Sequence, residues 1–219
     1  MSSTNPAGRP RPRRPAMLDP HAAEDLPGGV DPARRDAVAH TTAAAMIDGA
    51  RATEDPAVVD RLVRLVEREG LDQVAALWAD SPATSLPGAL WRLYVLREWV
   101  RRDAAAVSVR YRRGLEGGPG APSVSEVVVG VGDAPTPDQV RELADAVLSG
   151  AFVGDLDVAL DRAGSFCRVL ALGAAHDADA HEAVDGPTAD RMTRGASALL
   201  RTADDLTHAA SLWRGSLLE

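Results

Sequence analysis

An all-α fold is what this sequence predicts, and three observations predict it. Helix-start signals recur along the chain, with a capping Ser, Thr or Asp set before proline at Asp31-Pro32, Asp55-Pro56 and Thr136-Pro137. Apolar residues behind these signals return at the three- and four-residue steps of one helix face. The 219-residue composition is dominated by alanine and arginine, two of the strongest helix formers, and has no lysine. The expected architecture is a multi-helix bundle of about six to eight helices.

Residues 1–30 are rich in Pro, Gly, Ser and Arg and lack apolar periodicity, so they read as a disordered tail; 31–219 reads as a single helical domain. The Arg-Pro alternation from Arg9 to Pro15 suits extended, solvated backbone. Asp31 starts a first helix running to about Ala50. Asp55-Pro56 starts a second, with Val59, Leu62, Val63 and Val66 on one face and Gly70 at its end. A short third helix spans Leu71–Ala79. Ser85 then caps the longest apolar segment, Pro87 to about Arg113. Only Ser123–Val131 has strand-like composition, and a lone strand is unstable, so it reads as an extended connection or a short helix.

Thr136-Pro137-Asp138-Gln139 is a capping box, followed by Val140, Leu143, Ala144, Val147 and Leu148. Gly150 and Gly154 mark a turn around Phe152. Asp155 caps the next helix, with the stripe Leu156, Ala159, Leu160, Ala163, Phe166, Cys167 and Leu170. An Asp/His-rich connection follows, and Thr188 opens the last helix. Its stripe Met192, Ala196, Leu199, Ala203, Leu206, Ala210, Trp213 alternates steps of four and three, a seam that wants a helical neighbour. That neighbour is either within the chain or a second copy, making a protein partner or homodimer an expectation.

The segment after Ser85 is expected to be the hydrophobic central helix. Leu90, Trp91, Leu93, Tyr94, Val95, Leu96, Trp99 and Val100 point in every direction around its axis, and a helix apolar all round is a buried one. Arg97 shares the sector of Leu90, Leu93 and Val100, so it must be paired or must snorkel. Seven arginines against Glu98 and Asp103 make residues 86–113 basic within a chain of net charge −8. One reading pairs them with acids from surrounding helices. The other is an anion site of Arg101, Arg102, Arg110, Arg112 and Arg113, with Tyr111 as a stacking surface, for phosphate, nucleotide or nucleic acid.

His176, Asp177, Asp179 and His181 form the densest polar cluster. In extended backbone Asp177, Asp179 and His181 would point one way, a donor set able to hold a divalent metal. Cys167 sits on an apolar stripe with no histidine near in sequence, so it reads as a small buried hydrophobe. Gly117–Gly120 lacks the Gly-Lys-Ser/Thr ending of a phosphate loop. The connection from Asp80 to Leu86 is too long for a DNA-binding helix-turn-helix.

No apolar run reaches the length of a membrane crossing, and no apolar stretch follows the N-terminal arginines as a secretory signal requires. One cysteine excludes an internal disulfide, and the acidic balance argues against general nucleic-acid binding. A cytoplasmic protein without a cofactor is expected. The stretches Pro87–Trp99, Leu148–Asp155 and Leu212-Trp213-Arg214 resemble a group of helical actinobacterial proteins of unassigned function. That resemblance implies a bacterial cytoplasmic source and no activity. With no convergent catalytic set, the sequence points to a non-catalytic interaction or regulatory protein. The alternatives are a bundle binding a small molecule, anion or metal, and nucleic-acid contact through the basic tail and helix.

Overall fold

The computed structural model describes residues 31–51, 77–116, 136–153 and 156–218. Among these residues there are six helices and no strand: α1 (Pro32–Arg51), α2 (Leu86–Arg102), α3 (Ala104–Glu116), α4 (Pro137–Val153), α5 (Leu156–Glu182) and α6 (Gly186–Arg214). The all-α bundle is therefore the fold. The tail, the helix after Asp55, most of the third helix, the Gly117–Gly120 loop, Ser123–Val131 and the Asp155 cap lie outside the described residues.

Several starts are built as the sequence reads. The Asp31 carboxylate accepts from the Ala33 amide at 3.1 Å, and Ser85 Oγ accepts from the Gly88 amide at 3.3 Å. At α4 the box closes both ways: Gln139 Oε1 accepts from the Thr136 amide at 2.8 Å, and Thr136 Oγ1 accepts from the Gln139 amide at 3.3 Å. At α6 the cap is Asp185, not Thr188. The Asp185 carboxylate accepts from the Thr188 amide and hydroxyl at 3.2 and 2.6 Å, which places Thr188 inside the first turn. Gly150 marks no turn, since α4 continues through it to Val153.

The framework of the bundle is the antiparallel pair α5–α6, joined by a turn of three residues. Its most extensive packing is along this pair. The α6 seam meets α5 within the chain: Ala196, Ala203, Leu206 and Ala210 are buried, and Met192, Leu199 and Trp213 are half-buried. Small residues bring the axes close. A Cβ on Gly164 would stand 2.8 Å from Thr207 Oγ1 and 3.1 Å from the Ala203 carbonyl. Ion pairs register the hairpin from its open end to its middle, with Arg214 reaching back to Asp157 and Asp161 and Arg168 to Asp204.

Helix α3 lies against α5 at nearly backbone distance. A Cβ on Gly114 would fall 2.0 Å from the Val169 carbonyl oxygen, and one on Gly173 would fall 1.9 Å from the Arg110 carbonyl oxygen. No side chain fits at either position. Tyr111 completes this face, stacked on Phe166 with ring centroids 5.3 Å apart.

The expectation of one enclosed central helix is corrected in two respects. The segment 87–113 breaks at Asp103, whose φ of −121° and ψ of 30° leave the helical region. In addition, α2 keeps a wet side. It buries Leu90, Leu93, Leu96 and Val100, but Val95 is 42% exposed and Trp91, Tyr94 and Trp99 are half-buried. Apolar residues all round an axis do not compel all-round burial, because an isolated surface valine costs little and aromatic rings tolerate partial exposure.

Helix α1 is attached to the bundle through Ala39, Ala43 and Ile47, which are buried. Trp78, 2% exposed, donates its indole N–H to Thr42 Oγ1 at 3.1 Å. Thr42→Val keeps the shape and removes the acceptor, so it is expected to cost about 1–2 kcal/mol in chemical denaturation. Thr42→Ser, which keeps the hydroxyl, is expected to cost less.

Candidate functional site

The five arginines proposed as one anion site are divided by the break at Asp103. Arg101 and Arg102 end α2, whereas Arg110, Arg112 and Arg113 belong to α3. Arg101 donates to Asp145 at 3.3 Å, and Arg113 pairs with Asp177. Arg102 and Arg112 are exposed. Arg110 alone of the five lines a groove of about 410 Å³, together with Trp99, Ala174, Thr188, Arg191, Met192, Gly195 and Leu199. The interior-pairing reading holds elsewhere on α2. Arg97 bonds Asp145 at 2.6 Å and Glu98 at 3.0 Å, and Arg92 bonds Asp205 at 3.0 Å.

The groove is built by the crossings described above. Trp99 reaches it from the last turn of α2, Arg110 from α3, Ala174 from α5, and the remaining five residues from the first half of α6. Gly173 sets the position of Arg110. The Arg110 carbonyl lies where a Gly173 side chain would be, and Arg110 Cγ is 3.0 Å from that same Cβ position. The start of the arginine side chain therefore passes close over the glycine. Among the described residues, Arg110 Nε is buried and has no hydrogen-bond partner. A buried donor left in this state costs about 1–3 kcal/mol, and more when it carries charge.

Arg191 is differently placed. Its Nη2 donates to Thr188 Oγ1 at 2.7 Å, and that hydroxyl donates in turn to Asp185 Oδ2 at 2.6 Å. The Thr188 hydroxyl and amide hold the Asp185 carboxyl below the ordinary carboxylate range. A depressed carboxyl contributes its cap above the unfolded value and loses it only as pH falls through the lower folded value. Asp185 thus stays ionised at neutral pH and answers Arg191 at one remove. The groove lining offers two cations, one hydroxyl, the indole of Trp99 and the apolar surface of Met192 and Leu199. Such a set matches an anion with an apolar body.

The metal expectation stood on extended backbone, and this is corrected: residues 176–182 are the last turns of α5. Asp179 and His176 are exposed, Asp177 is buried against Arg113, and His181 Nδ1 lies 2.7 Å from the Asp177 carbonyl. His176 Nδ1 lies 3.1 Å from the Arg113 carbonyl, joining α5 to α3. Among the described residues no three His, Cys, Asp or Glu side chains gather so as to hold a metal ion. The segment stays helical because Ala174, Ala175, Ala178 and Ala180 carry the propensity, with Ala174 and Ala178 buried.

Cys167 is fully buried and its thiol is pushed up to about 12 by desolvation. Only the thiolate reacts, so Cys167 is expected to resist thiol reagents at pH 8 in the folded chain and to react promptly in denaturant. An Ellman titration checks this, and rapid native labelling would contradict the burial. Tyr111 is likewise pushed up to about 12 by burial, which suits a core ring and not a titrating group.

The sequence offers Arg110 as one of five arginines of an alternative anion site and is silent on Arg191, Thr188 and Gly173. The available signal was Gly173 itself, a helix-interior glycine flanked by strong helix formers. Among the described residues, no helix is long and apolar enough to cross a membrane. The chain matches no family model, no curated protein and no solved structure.

Proposed function

We propose that this protein binds a small amphipathic organic anion in the groove between α2, α3 and α6, and that it acts by binding rather than by covalent chemistry. The observation that carries this reading is the groove lining, which brings the cations of Arg110 and Arg191 and the Thr188 hydroxyl together with Trp99, Met192 and Leu199. A lining of cations, one hydroxyl and apolar surface is suited to holding a negative charge. The seam on α6 is the sequence's motive for a partner protein or homodimer; its Ala196, Ala203, Leu206 and Ala210 are buried within the chain, and its Met192 and Leu199 line the groove.

A thermal-shift screen against small organic anions tests the proposal. A ligand at 100 times its Kd stabilises by about 2.7 kcal/mol, or roughly 5–11 °C for a chain of this size. Arg110→Met is expected to abolish the shift while melting, without ligand, at or above the parent temperature, because it removes an unsatisfied donor. Arg112→Met, on the exposed face of α3, is expected to keep the shift. A parent chain indifferent to every anion overturns the proposal.

A further inference from the structure

Resting on that reading, we infer that Gly195 decides which anions the groove accepts, because the apolar body of the ligand lies directly on the α6 backbone at this position. Glycine is the poorest helix former apart from proline, so one in a helix interior asks for a reason. Elsewhere the chain itself supplies the reason. A side chain at Gly114, Gly164 or Gly173 would run into Val169, Thr207 or Arg110, and one at Gly88 would run into the Pro82 carbonyl. Gly150 and Gly186 belong to terminal turns of their helices, where a glycine costs the helix less than in its interior. Gly195 lies inside α6, and nothing in the described chain comes within 4 Å of where its Cβ would stand. Packing within these residues therefore does not require it bare. What it faces is the groove.

Its place in the lining shows what would use the bare backbone. Arg191, Gly195 and Leu199 follow one another at four-residue steps, a single row along α6. At 1.5 Å per residue the row is roughly 12 Å long. One end carries the Arg191 guanidinium, held by the Thr188 hydroxyl at 2.7 Å, and the other carries a leucine. A ligand with its negative group at Arg191 and its apolar body reaching Leu199 has to cross Gly195. There a flat body can settle against the helix, whereas any side chain would hold it away. The class is therefore an elongated anion, charged at one end, with a flat apolar body about two helical turns long. Guanidinium groups receive carboxylate and phosphate alike, so the headgroup is either.

The test is isothermal titration of the full chain and its variants with 2-naphthoate and 2-naphthyl phosphate, which share one flat body and differ in headgroup. The parent chain is expected to bind at least one of them. Without ligand, Gly195→Ala is expected to melt roughly 1–4 °C above the parent. It is nevertheless expected to bind that probe at least threefold more weakly, and Gly195→Leu at least thirtyfold more weakly. Ser197→Leu, on an exposed position of α6 outside the lining, is expected to bind as the parent does. Far-ultraviolet circular dichroism checks that the variants are folded, and Gly195→Ala carries the test whether or not the leucine variant folds. If both Gly195 variants bind as tightly as the parent, the inference is overturned and the anion-binding proposal stands. An equal loss in Ser197→Leu overturns it too, by placing the effect in the helix at large. A parent chain that binds neither probe overturns both.

Discussion

Gly173→Ala is expected to destabilise the chain by about 3 kcal/mol, near the upper end of what overpacking a close contact costs. Helix propensity alone argues the opposite, since alanine gains about 1 kcal/mol over glycine in a helix interior. Geometry decides the sign. The new Cβ would lie 1.9 Å from the Arg110 carbonyl oxygen, 2.9 Å from its carbon and 3.0 Å from Arg110 Cγ. The nearest of these atoms is backbone, so no rotamer change relieves the clash and α3 must move away from α5. At this chain length the loss corresponds to a melting temperature lowered by roughly 6–12 °C. Gly195→Ala provides the contrast, because nothing lies within 4 Å of its Cβ position. It is expected to raise stability by about 0.5–1 kcal/mol. Opposite signs for two helix-interior Gly→Ala changes identify packing as the cause, and equal gains would contradict the α3–α5 contact.

Asp145→Ala is expected to cost about 2–4 kcal/mol in urea denaturation, far more than an ordinary surface carboxylate. Arg97 is 5% exposed in its side chain and rests among Leu93, Leu96 and Phe166, beside a void of only about 10 Å³. That void is about the size of one water and is lined, apart from Arg97, by apolar side chains, so it offers the guanidinium no alternative acceptor. Removing Asp145 strips the buried guanidinium of its 2.6 Å partner and also takes an acceptor from Arg101. Breaking a pair with one member buried is costly because the remaining charge loses its closest partner, here leaving Arg97 with Glu98 at 3.0 Å. Asp145 itself is 41% exposed, which keeps the figure below that of a fully enclosed pair. Asp138→Ala removes the exposed i,i+3 partner of Arg141 and is expected to cost no more than about 0.5 kcal/mol. Equal losses for the two variants would mean that Arg97 is solvated.

What could be read in the sequence was what local chemistry determines. Ser85, Asp31 and the Thr136–Gln139 box are short-range devices, and each forms as its residue types dictate. The stripes of α4 and α5 are buried along their predicted faces, and Arg97 is paired in the sector its helical phase gives it. The failures are where local signals are silent. No glycine or proline announces the break at Asp103, and Ala104-Ala105-Ala106 would continue a helix as readily as start one. Residues 176–182 carry polar side chains dense enough to resemble a connection, yet their alanines and the pairing of Asp177 with Arg113 of α3 hold them helical.

The groove was legible only in part for the same reason. Arg191 is far in the chain from Trp99 and Arg110, and what brings Arg110 to the groove is the α3–α5 approach at Gly114 and Gly173. A glycine inside a helix signals that something comes close, but not what. Charge counting overstated the arginine cluster because it treated residues 86–113 as one element. The break at Asp103 separates Arg101 and Arg102 from the arginines of α3, and ion pairs occupy Arg101 and Arg113.

The most direct measurement is the side-chain Nε–Hε resonance of Arg110 in a ¹⁵N-labelled chain, assigned by its disappearance in Arg110→Met and followed as 2-naphthoate, a small amphipathic organic anion, is added. With an anion beside its guanidinium, Arg110 is expected to shift and to exchange more slowly with water as the ligand saturates, while the resonance of the exposed Arg112 stays in place. If naphthoate binds and the Arg110 signal does not move, or if that signal already behaves as a bonded donor in the free chain, the groove is not organised around this arginine.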